Sequence, residues 1–276
     1  MEQREFGTTR RPVPVIGQGT WYQDGDERTP AVAALRRGIE LGMTHIDTAE
    51  MYLDGTAEEW IAEAIAGRRD EIFLVSKVLP SNASRRGTVQ ACERSLARLQ
   101  TDRLDCYLLH WRGSYPLAET VAAFEQLRSE GKILSWGVSN FDESDLDELG
   151  ATPACNQVLY HLKERAIEHA VLPWCERAGA AVVAYSPFGH DSFPKPGTAG
   201  GRLLEEIAAA HRATPRQVAL RFLLRRPSLF AIPKASTIEH VKENAGAGDL
   251  RLTHGDIQRI SQTFPLGKKP RSLPML

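Results

Sequence analysis

The sequence lacks long apolar runs and has few cysteines. A membrane-spanning helix needs about 20 apolar residues, and none of the apolar runs in this sequence is that long. The first residues also lack the apolar segment of a secretory signal. The four cysteines stand far apart and form no C-x-x-C pair, which argues against a zinc site or a redox dithiol. We therefore expect a cytoplasmic protein with reduced cysteines, no membrane association and no bound metal.

The chain also lacks an excess of charge of either sign. Its 276 residues include 34 Lys and Arg against 35 Asp and Glu, a formal net charge of −1. Proteins that bind nucleic acids or anionic membranes generally carry an excess of positive charge on the binding face, so neither is an expected partner. Hydrophobic residues make up 42% of the chain, which is enough for a large buried core.

What the sequence has instead is a series of short apolar runs that end on polar or ionisable residues. Such a run is typical of a strand buried on both faces of a parallel sheet. Eight strands are predicted, over residues 15–19, 45–47, 73–77, 104–110, 133–138, 156–158, 181–185 and 229–232. Helices are predicted between them, over about 30–41, 56–66, 86–99, 117–130, 142–149, 167–178, 201–211 and 215–225, the last two both between the seventh and eighth strands. This alternation predicts an α/β protein, a single (β/α)8 TIM barrel over residues 1–276.

Four polar residues are expected at the mouth of this barrel, where TIM-barrel enzymes place their chemistry. Asp47, Lys77 and His110 end predicted strands, and Tyr52 lies in a loop just after one; we call these four the tetrad. A tyrosine has a pKa of about 10 and needs a nearby cation to act as an acid at neutral pH. Lys77 is the predicted cation, kept protonated by Asp47. His110 would orient a substrate carbonyl while Tyr52 supplies the proton.

Nine stretches of the sequence resemble the aldo-keto reductase family in order and spacing. They are GQGTW at 17–21, HIDTAEMY at 45–52, VSK at 75–77, LLHW at 108–111, GKI at 131–133, GVSNF at 137–141, NQV at 156–158, AYSP at 184–187 and IPK at 232–234. GTWY at 19–22, LHWR at 109–112 and LPWC at 172–175 are most similar to bacterial methylglyoxal reductase-type and diketogulonate reductase-type members. The resemblance implies NAD(P)H-dependent reduction of small aldehydes, ketoaldehydes or ketones, with the tetrad as catalytic residues and Tyr52 as general acid.

The resemblance also implies a binding site for NADP. Ser139, Asn140 and Gln157 match positions that hydrogen-bond the nicotinamide carboxamide, and Tyr185 matches the aromatic residue that stacks on the ring. In a barrel, the loops after the last strands and a helix amino terminus can bind phosphate. The segment from Lys234 to Asn244 matches the family's adenosine-phosphate site. The other cofactor-binding residues implied by the resemblance are Gly19, Thr20, Trp21, Ser186, Lys234, Ser236, Thr237, His240, Glu243 and Asn244.

Two positions depart from the pattern of NADP-preferring relatives. Many of these have serine where Ala235 stands and arginine where His240 stands. An arginine offers a permanent charge and a bidentate fork, whereas a histidine is only partly protonated at pH 7. We therefore predict that NADPH is preferred and held mainly by Lys234, with NADH possible.

Three aromatic residues are predicted to line the substrate mouth: Trp21, Tyr22 and Trp111. They would form an apolar wall above the polar tetrad. The tail from 264 to 276 is brief, which favours an open mouth and small carbonyl substrates. The expected partner is thus a small-molecule carbonyl compound, and the resemblance implies a monomer.

Two other functions are compatible with such a barrel. A lysine at a strand end can form a Schiff base, as in class I aldolases, but this requires a neutral amine, whereas Asp47 is expected to keep Lys77 charged. A cofactor-binding regulatory module on the same fold is the second alternative. The complete tetrad favours the reductase over this module.

Overall fold

Strands and helices alternate along residues 1–22 and 25–276, the part of the chain that the computed structural model describes. The strands are β1 (Gln3–Glu5), β2 (Pro12–Pro14), β3 (Gln18–Gly19), β4 (His45–Asp47), β5 (Phe73–Val78), β6 (Cys106–Leu109), β7 (Trp136–Ser139), β8 (Cys155–Leu159), β9 (Ala181–Tyr185) and β10 (Leu229–Ala231). The helices are α1 (Arg28–Glu40), α2 (Thr56–Ile65), α3 (Arg85–Leu99), α4 (Leu117–Ser129), α5 (Glu143–Glu148), α6 (Val171–Ala178), α7 (Ala199–His211), α8 (Pro215–Leu223), α9 (Ile238–Gly246) and α10 (His254–Thr263).

Strands β3 to β10 form one parallel sheet in chain order. Parallel bridges from Ile16 to Ala231 and from Gly19 to Lys234 join its two edges, and the Gly17 amide donates to the Ala231 carbonyl at 2.8 Å. The sheet is therefore closed, and the predicted (β/α)8 barrel is confirmed. Each of the eight predicted strands overlaps an observed one, and each of the eight predicted helices overlaps an observed one.

Alternation along the strands separates two apolar cores. On β5, Phe73 and Val75 belong to the cluster inside the barrel, whereas Leu74 packs among the surrounding helices. Because side chains alternate between the faces of a strand, Lys77 falls on the inner face with Phe73 and Val75. The same alternation places His110 on the inner face of the barrel with Leu108, two residues before it.

An amino-terminal hairpin of β1 and β2 was not predicted. Its register pairs Arg4 with Val13, and Phe6, in the turn between the strands, is fully buried. The Phe6 ring lies 4.7 Å from that of Phe73 and 5.0 Å from that of Phe230. The turn thus supplies part of the core inside the barrel.

Three further features concern the described chain. None of its described helices is long and apolar enough to cross a bilayer. Its four cysteines are buried and unpaired, and no group of three His, Cys, Asp or Glu side chains within 1–22 and 25–276 is placed to hold a metal ion.

Candidate active site

A cavity of about 500 Å³ opens at the carboxyl ends of the strands. Three members of the tetrad, Asp47, Tyr52 and His110, line it. Lys77 lies behind them with a fully buried side chain. The remaining lining residues are Gly19, Thr20, Trp21, Met51, Trp111, Ser139, Asn140, Gln157, Tyr185, Ser186, Pro187, Phe188, His190, Asp191, Arg216, Ile232, Lys234 and Leu276.

The Lys77 ammonium group connects two other members of the tetrad, Asp47 and Tyr52. Its Nζ atom donates to Asp47 Oδ1 at 2.5 Å, to the Thr48 carbonyl at 2.7 Å and to Tyr52 Oη at 3.2 Å. These three acceptors use all three protons of the ammonium group. The structure thus brings together the lysine, the carboxylate and the phenol that sequence reasoning grouped.

The charge state of Lys77 follows from this arrangement. Burial alone would lower its pKa, but the Asp47 carboxylate offsets that effect and the net pKa is raised. Burial raises the pKa of Tyr52, while the Lys77 ammonium opposes the rise. At neutral pH, Tyr52 is therefore protonated and stands beside a cation that would stabilise its phenolate.

His110 lies on the other side of Tyr52, with the two ring centroids 5.7 Å apart. Burial, helped by the charge of Lys77, lowers the pKa of His110 to about 2. The imidazole is therefore neutral at physiological pH. Its Nδ1 atom is buried without a hydrogen-bond partner in the described chain. A neutral imidazole can orient a carbonyl by hydrogen bonding but does not compete with Tyr52 as the acid.

The turn that carries Tyr52 has an uncommon backbone. Leu53, Asp54 and Gly55 follow it with φ values of 49°, 50° and 90°. Left-handed conformations are unfavourable for a bulky residue such as Leu53. Strained backbone of this kind occurs often at functional sites. Gly55, for which the conformation is ordinary, caps the amino end of α2.

Amide side chains connect the tetrad to the far wall of the cavity. Gln157 Nε2 donates to Asp47 Oδ2 at 2.7 Å. Asn140 Nδ2 donates to the His110 carbonyl at 3.2 Å, and Asn140 Oδ1 accepts from Tyr185 Oη at 2.9 Å. The Asn140 backbone amide also donates to the Gln157 carbonyl at 2.8 Å. The predicted nicotinamide-binding residues and the tetrad therefore share one hydrogen-bonded network, which also includes Ser139 through Asn140 Nδ2 at 3.2 Å.

The predicted phosphate-binding segment follows β10 and reaches the same cavity. Lys234 lines the cavity, and its Nζ atom donates to Asp26 Oδ2 at 2.6 Å. Ser236 Oγ donates to Asp26 Oδ1 at 2.8 Å. Thr237 caps α9 by accepting from the His240 amide. The other predicted residues on α9 are the exposed His240, the half-buried Glu243 and the buried Asn244.

The substrate wall differs in part from the prediction. Trp21 and Trp111 line the cavity, but Tyr22 is only 2% exposed and lies against the Trp60 ring at 5.2 Å. The structure therefore puts Tyr22 outside the residues that line the cavity. The brief tail does reach the mouth, because Leu276 lines the cavity and its amide donates to Tyr185 Oη at 3.4 Å.

Sequence reasoning missed several residues on the loops and helices around the mouth. Phe188 and Arg216 line the cavity, and the Arg216 guanidinium carbon lies 4.6 Å from the Phe188 ring centroid. Asp26 reaches Lys234 across 208 positions of sequence. For Arg216, the sequence indicated only that it follows Pro215 at the start of a predicted helix. No feature of the sequence indicated that Asp26 would contact Lys234.

Three comparisons with known proteins agree with this geometry. The model of the Aldo/keto reductase family matches residues 15–263. The chain is 47% identical to methylglyoxal reductase YeaE of Escherichia coli (strain K12) over 271 residues, 96% of this chain and 95% of that protein. It is 33% identical to glyoxal reductase of Bacillus subtilis (strain 168), over 90% of this chain and 88% of that protein. A crystal structure of an aldo-keto reductase from Klebsiella pneumoniae in complex with NADPH is similar with a TM-score of 0.93 at 46% identity, covering 100% of this chain and 99% of that one.

Proposed function

This chain belongs to the aldo/keto reductase family of carbonyl-reducing enzymes, and we propose that it reduces small aldehydes, ketoaldehydes and ketones to alcohols with NADPH. The observation that carries the proposal is one cavity lined both by Asp47, Tyr52 and His110 of the tetrad and by Lys234 of the predicted phosphate-binding segment. The names of its relatives support the substrate class, since one is a methylglyoxal reductase and another a glyoxal reductase.

The residues present suit the dinucleotide. Hydroxyl and amide groups of Ser139, Asn140 and Gln157 would hold the carboxamide, and the Tyr185 ring would stack on the nicotinamide. Lys234, with the hydroxyl groups of Ser236 and Thr237 in the same segment, would hold the phosphate. When bound, the cofactor supplies a hydride to the carbonyl carbon. The relative from Klebsiella pneumoniae crystallised with NADPH is consistent with this assignment.

Proton transfer is assigned to Tyr52. As the carbonyl oxygen gains negative charge, the Tyr52 hydroxyl donates its proton to it. The resulting phenolate is stabilised by the Lys77 ammonium, 3.2 Å away. Asp47 keeps that ammonium charged, and neutral His110 hydrogen-bonds the carbonyl oxygen.

The same contacts weigh against a Schiff-base aldolase. Lys77 is fully buried and its pKa is raised. A Schiff-base nucleophile needs an accessible, neutral amine. Lys77 therefore suits a fixed cation better than a nucleophile.

Small carbonyl compounds are expected to be better substrates than bulky ones. The cavity of about 500 Å³ must hold both the reacting end of the cofactor and the substrate, and Trp21, Trp111 and Leu276 line it. We expect kcat/KM for methylglyoxal to exceed that for a polycyclic ketone by at least about tenfold, the size of effect that poor pocket fit produces. The measurement follows NADPH consumption over a panel of carbonyl compounds of increasing size.

The panel also tests the reaction class. No turnover of any aldehyde, ketoaldehyde or ketone by enzyme that binds NADPH tightly would contradict the proposal and favour a regulatory module. A higher kcat/KM for the polycyclic ketone would contradict only the substrate size.

Replacement of His240 by arginine is expected to increase the preference for NADPH. The exposed His240 side chain lies on the first turn of α9, beside the predicted phosphate site. A permanent guanidinium would add a charge-assisted hydrogen bond to the 2′-phosphate, which is worth about tenfold in affinity or more. We expect the ratio of kcat/KM with NADPH to that with NADH to rise by about this factor.

A Glu239→Gln variant is the matched control, because it makes the same helix more positive at the neighbouring exposed position. It should change the ratio much less than His240→Arg. Equal kcat/KM with both cofactors in His240→Arg would show that this position does not contact the 2′-phosphate.

A further inference from the structure

Closure of the barrel brings an acidic side chain onto the predicted phosphate site. The bridge between Gly19 and Lys234 puts the loop after β3 beside the loop after β10. Asp26 on the first loop contacts two residues on the second. Its Oδ2 atom accepts from Lys234 Nζ at 2.6 Å, and its Oδ1 atom accepts from Ser236 Oγ at 2.8 Å.

This contact resembles the way in which a phosphate would be held. One ammonium and one hydroxyl engage the two oxygens of a single anion. The side chains of Asp26 and Lys234 are 14% and 34% exposed, so the pair is partly shielded from water. The Tyr22 ring, 5.4 Å from Lys234 Nζ, adds a cation-π contact that helps to fix the ammonium group.

We propose that Asp26 is an internal competitor for the cofactor's 2′-phosphate and so helps to determine the choice between NADPH and NADH. The inference rests on the proposed function, because it takes Lys234 and Ser236 as the phosphate-binding residues. A phosphate monoester carries a charge of about −1.5 to −2 at pH 7. It cannot bind the Lys234 ammonium and the Ser236 hydroxyl while the Asp26 carboxylate also binds them, because the two anions would repel each other strongly. Asp26 must therefore leave before the 2′-phosphate binds.

Binding of NADH does not require Asp26 to leave. Its ribose carries a 2′-hydroxyl group, which can donate a hydrogen bond to a carboxylate, as it does in many NAD-binding sites. Asp26 can then stay in place. When only a fraction of the protein molecules can bind a ligand, the apparent affinity is reduced by that fraction. The Asp26 contact therefore lowers the affinity for NADPH but leaves that for NADH unchanged.

The test compares dissociation constants of NADP and NAD by isothermal titration calorimetry. An ion pair at the protein surface, such as that of Asp26 with Lys234, is worth up to about fivefold in an equilibrium constant, and the hydrogen bond from Ser236 brings the total to about tenfold. Asp26→Asn is therefore expected to bind NADP about tenfold more tightly and NAD within about twofold of wild type. Unchanged NAD binding also reports that the variant is folded.

Glu27→Gln is the matched control, since it removes the same charge from the next position, which is exposed. It should leave both constants close to wild type. The inference is overturned if Asp26→Asn binds NADP no more tightly than Glu27→Gln does, or if it gains equally for NADP and NAD.

Lys234→Met separates this inference from the proposed function. If Lys234→Met weakens NADP binding and Asp26→Asn behaves like wild type, only the role of Asp26 is overturned. If Lys234→Met binds NADP as tightly as wild type, the assignment of the phosphate to Lys234 is overturned, and the role of Asp26 with it.

Discussion

Replacement of Tyr52 by phenylalanine is expected to lower kcat/KM for methylglyoxal by about 10² to 10⁴-fold, the usual contribution of a general acid. The change removes only the hydroxyl that stands 3.2 Å from Lys77 Nζ. His110, the neighbouring titratable group, cannot replace it, because its imidazole is neutral, with its pKa lowered to about 2. The Lys77 ammonium is held by Asp47 and the Thr48 carbonyl. Cofactor binding should therefore survive while turnover is lost.

Steady-state NADPH consumption and NADPH binding, measured on the same preparations, separate these two effects. Tyr107→Phe is a suitable control, because the Tyr107 hydroxyl is buried in the core with no hydrogen-bond partner in the described chain. It should turn over substrate as fast as wild type. Equal rates in wild type and Tyr52→Phe would mean that another group donates the proton.

The inward direction of the tetrad could be predicted from the sequence because strand alternation is local. Phe73, Val75 and Lys77 share one face of β5, so the apolar residues that fill the barrel also predict where the lysine points. The same alternation holds for His45 and Asp47 on β4. Parallel strands in a closed barrel then bring these faces together.

The contacts made by the loops could not be predicted in this way. The left-handed backbone at Leu53 has no signal in the sequence, since a bulky leucine disfavours that conformation, and the adjacent Asp54, a residue type that adopts it more readily, does not by itself predict it. Asp26 meets Lys234 only because the barrel closes through Gly19. The placement of Tyr22 has the same origin: its neighbour Trp21 lines the cavity, but the side chain of Tyr22 is buried away from it.

The hairpin at the amino terminus was missed for a different reason. Strands β1 and β2 have three residues each, and β2 contains Pro12 and Pro14. Proline is unusual in strands except at edges, and three residues are too few for a period of two to be recognised. Phe6 packs inside the barrel against residues that are distant in sequence.

Replacement of Lys77 by methionine is expected to lower the free energy of unfolding by about 3–5 kcal/mol, because it leaves a buried carboxylate without its cation. Asp47 is 1% exposed, and Gln157 would remain its only side-chain donor among the described residues. Activity should be lost as well, since no cation would stabilise the Tyr52 phenolate. Urea denaturation gives the stability change. Lys269→Met is the control, because Lys269 is an exposed lysine paired with Glu143, and it should cost no more than about 1 kcal/mol.

The double variant Asp47→Leu with Lys77→Met separates structure from chemistry. Replacing both members of a buried ion pair by apolar residues is often neutral or stabilising, so the double variant should regain much of the stability that Lys77→Met loses. It should remain inactive, because the Lys77 ammonium that supports Tyr52 is still absent. Recovery of activity together with stability would mean that the pair serves folding alone. Recovery of stability without activity would assign the pair to the proton transfer, which is the outcome that the contacts of Lys77 with both Asp47 and Tyr52 lead us to expect.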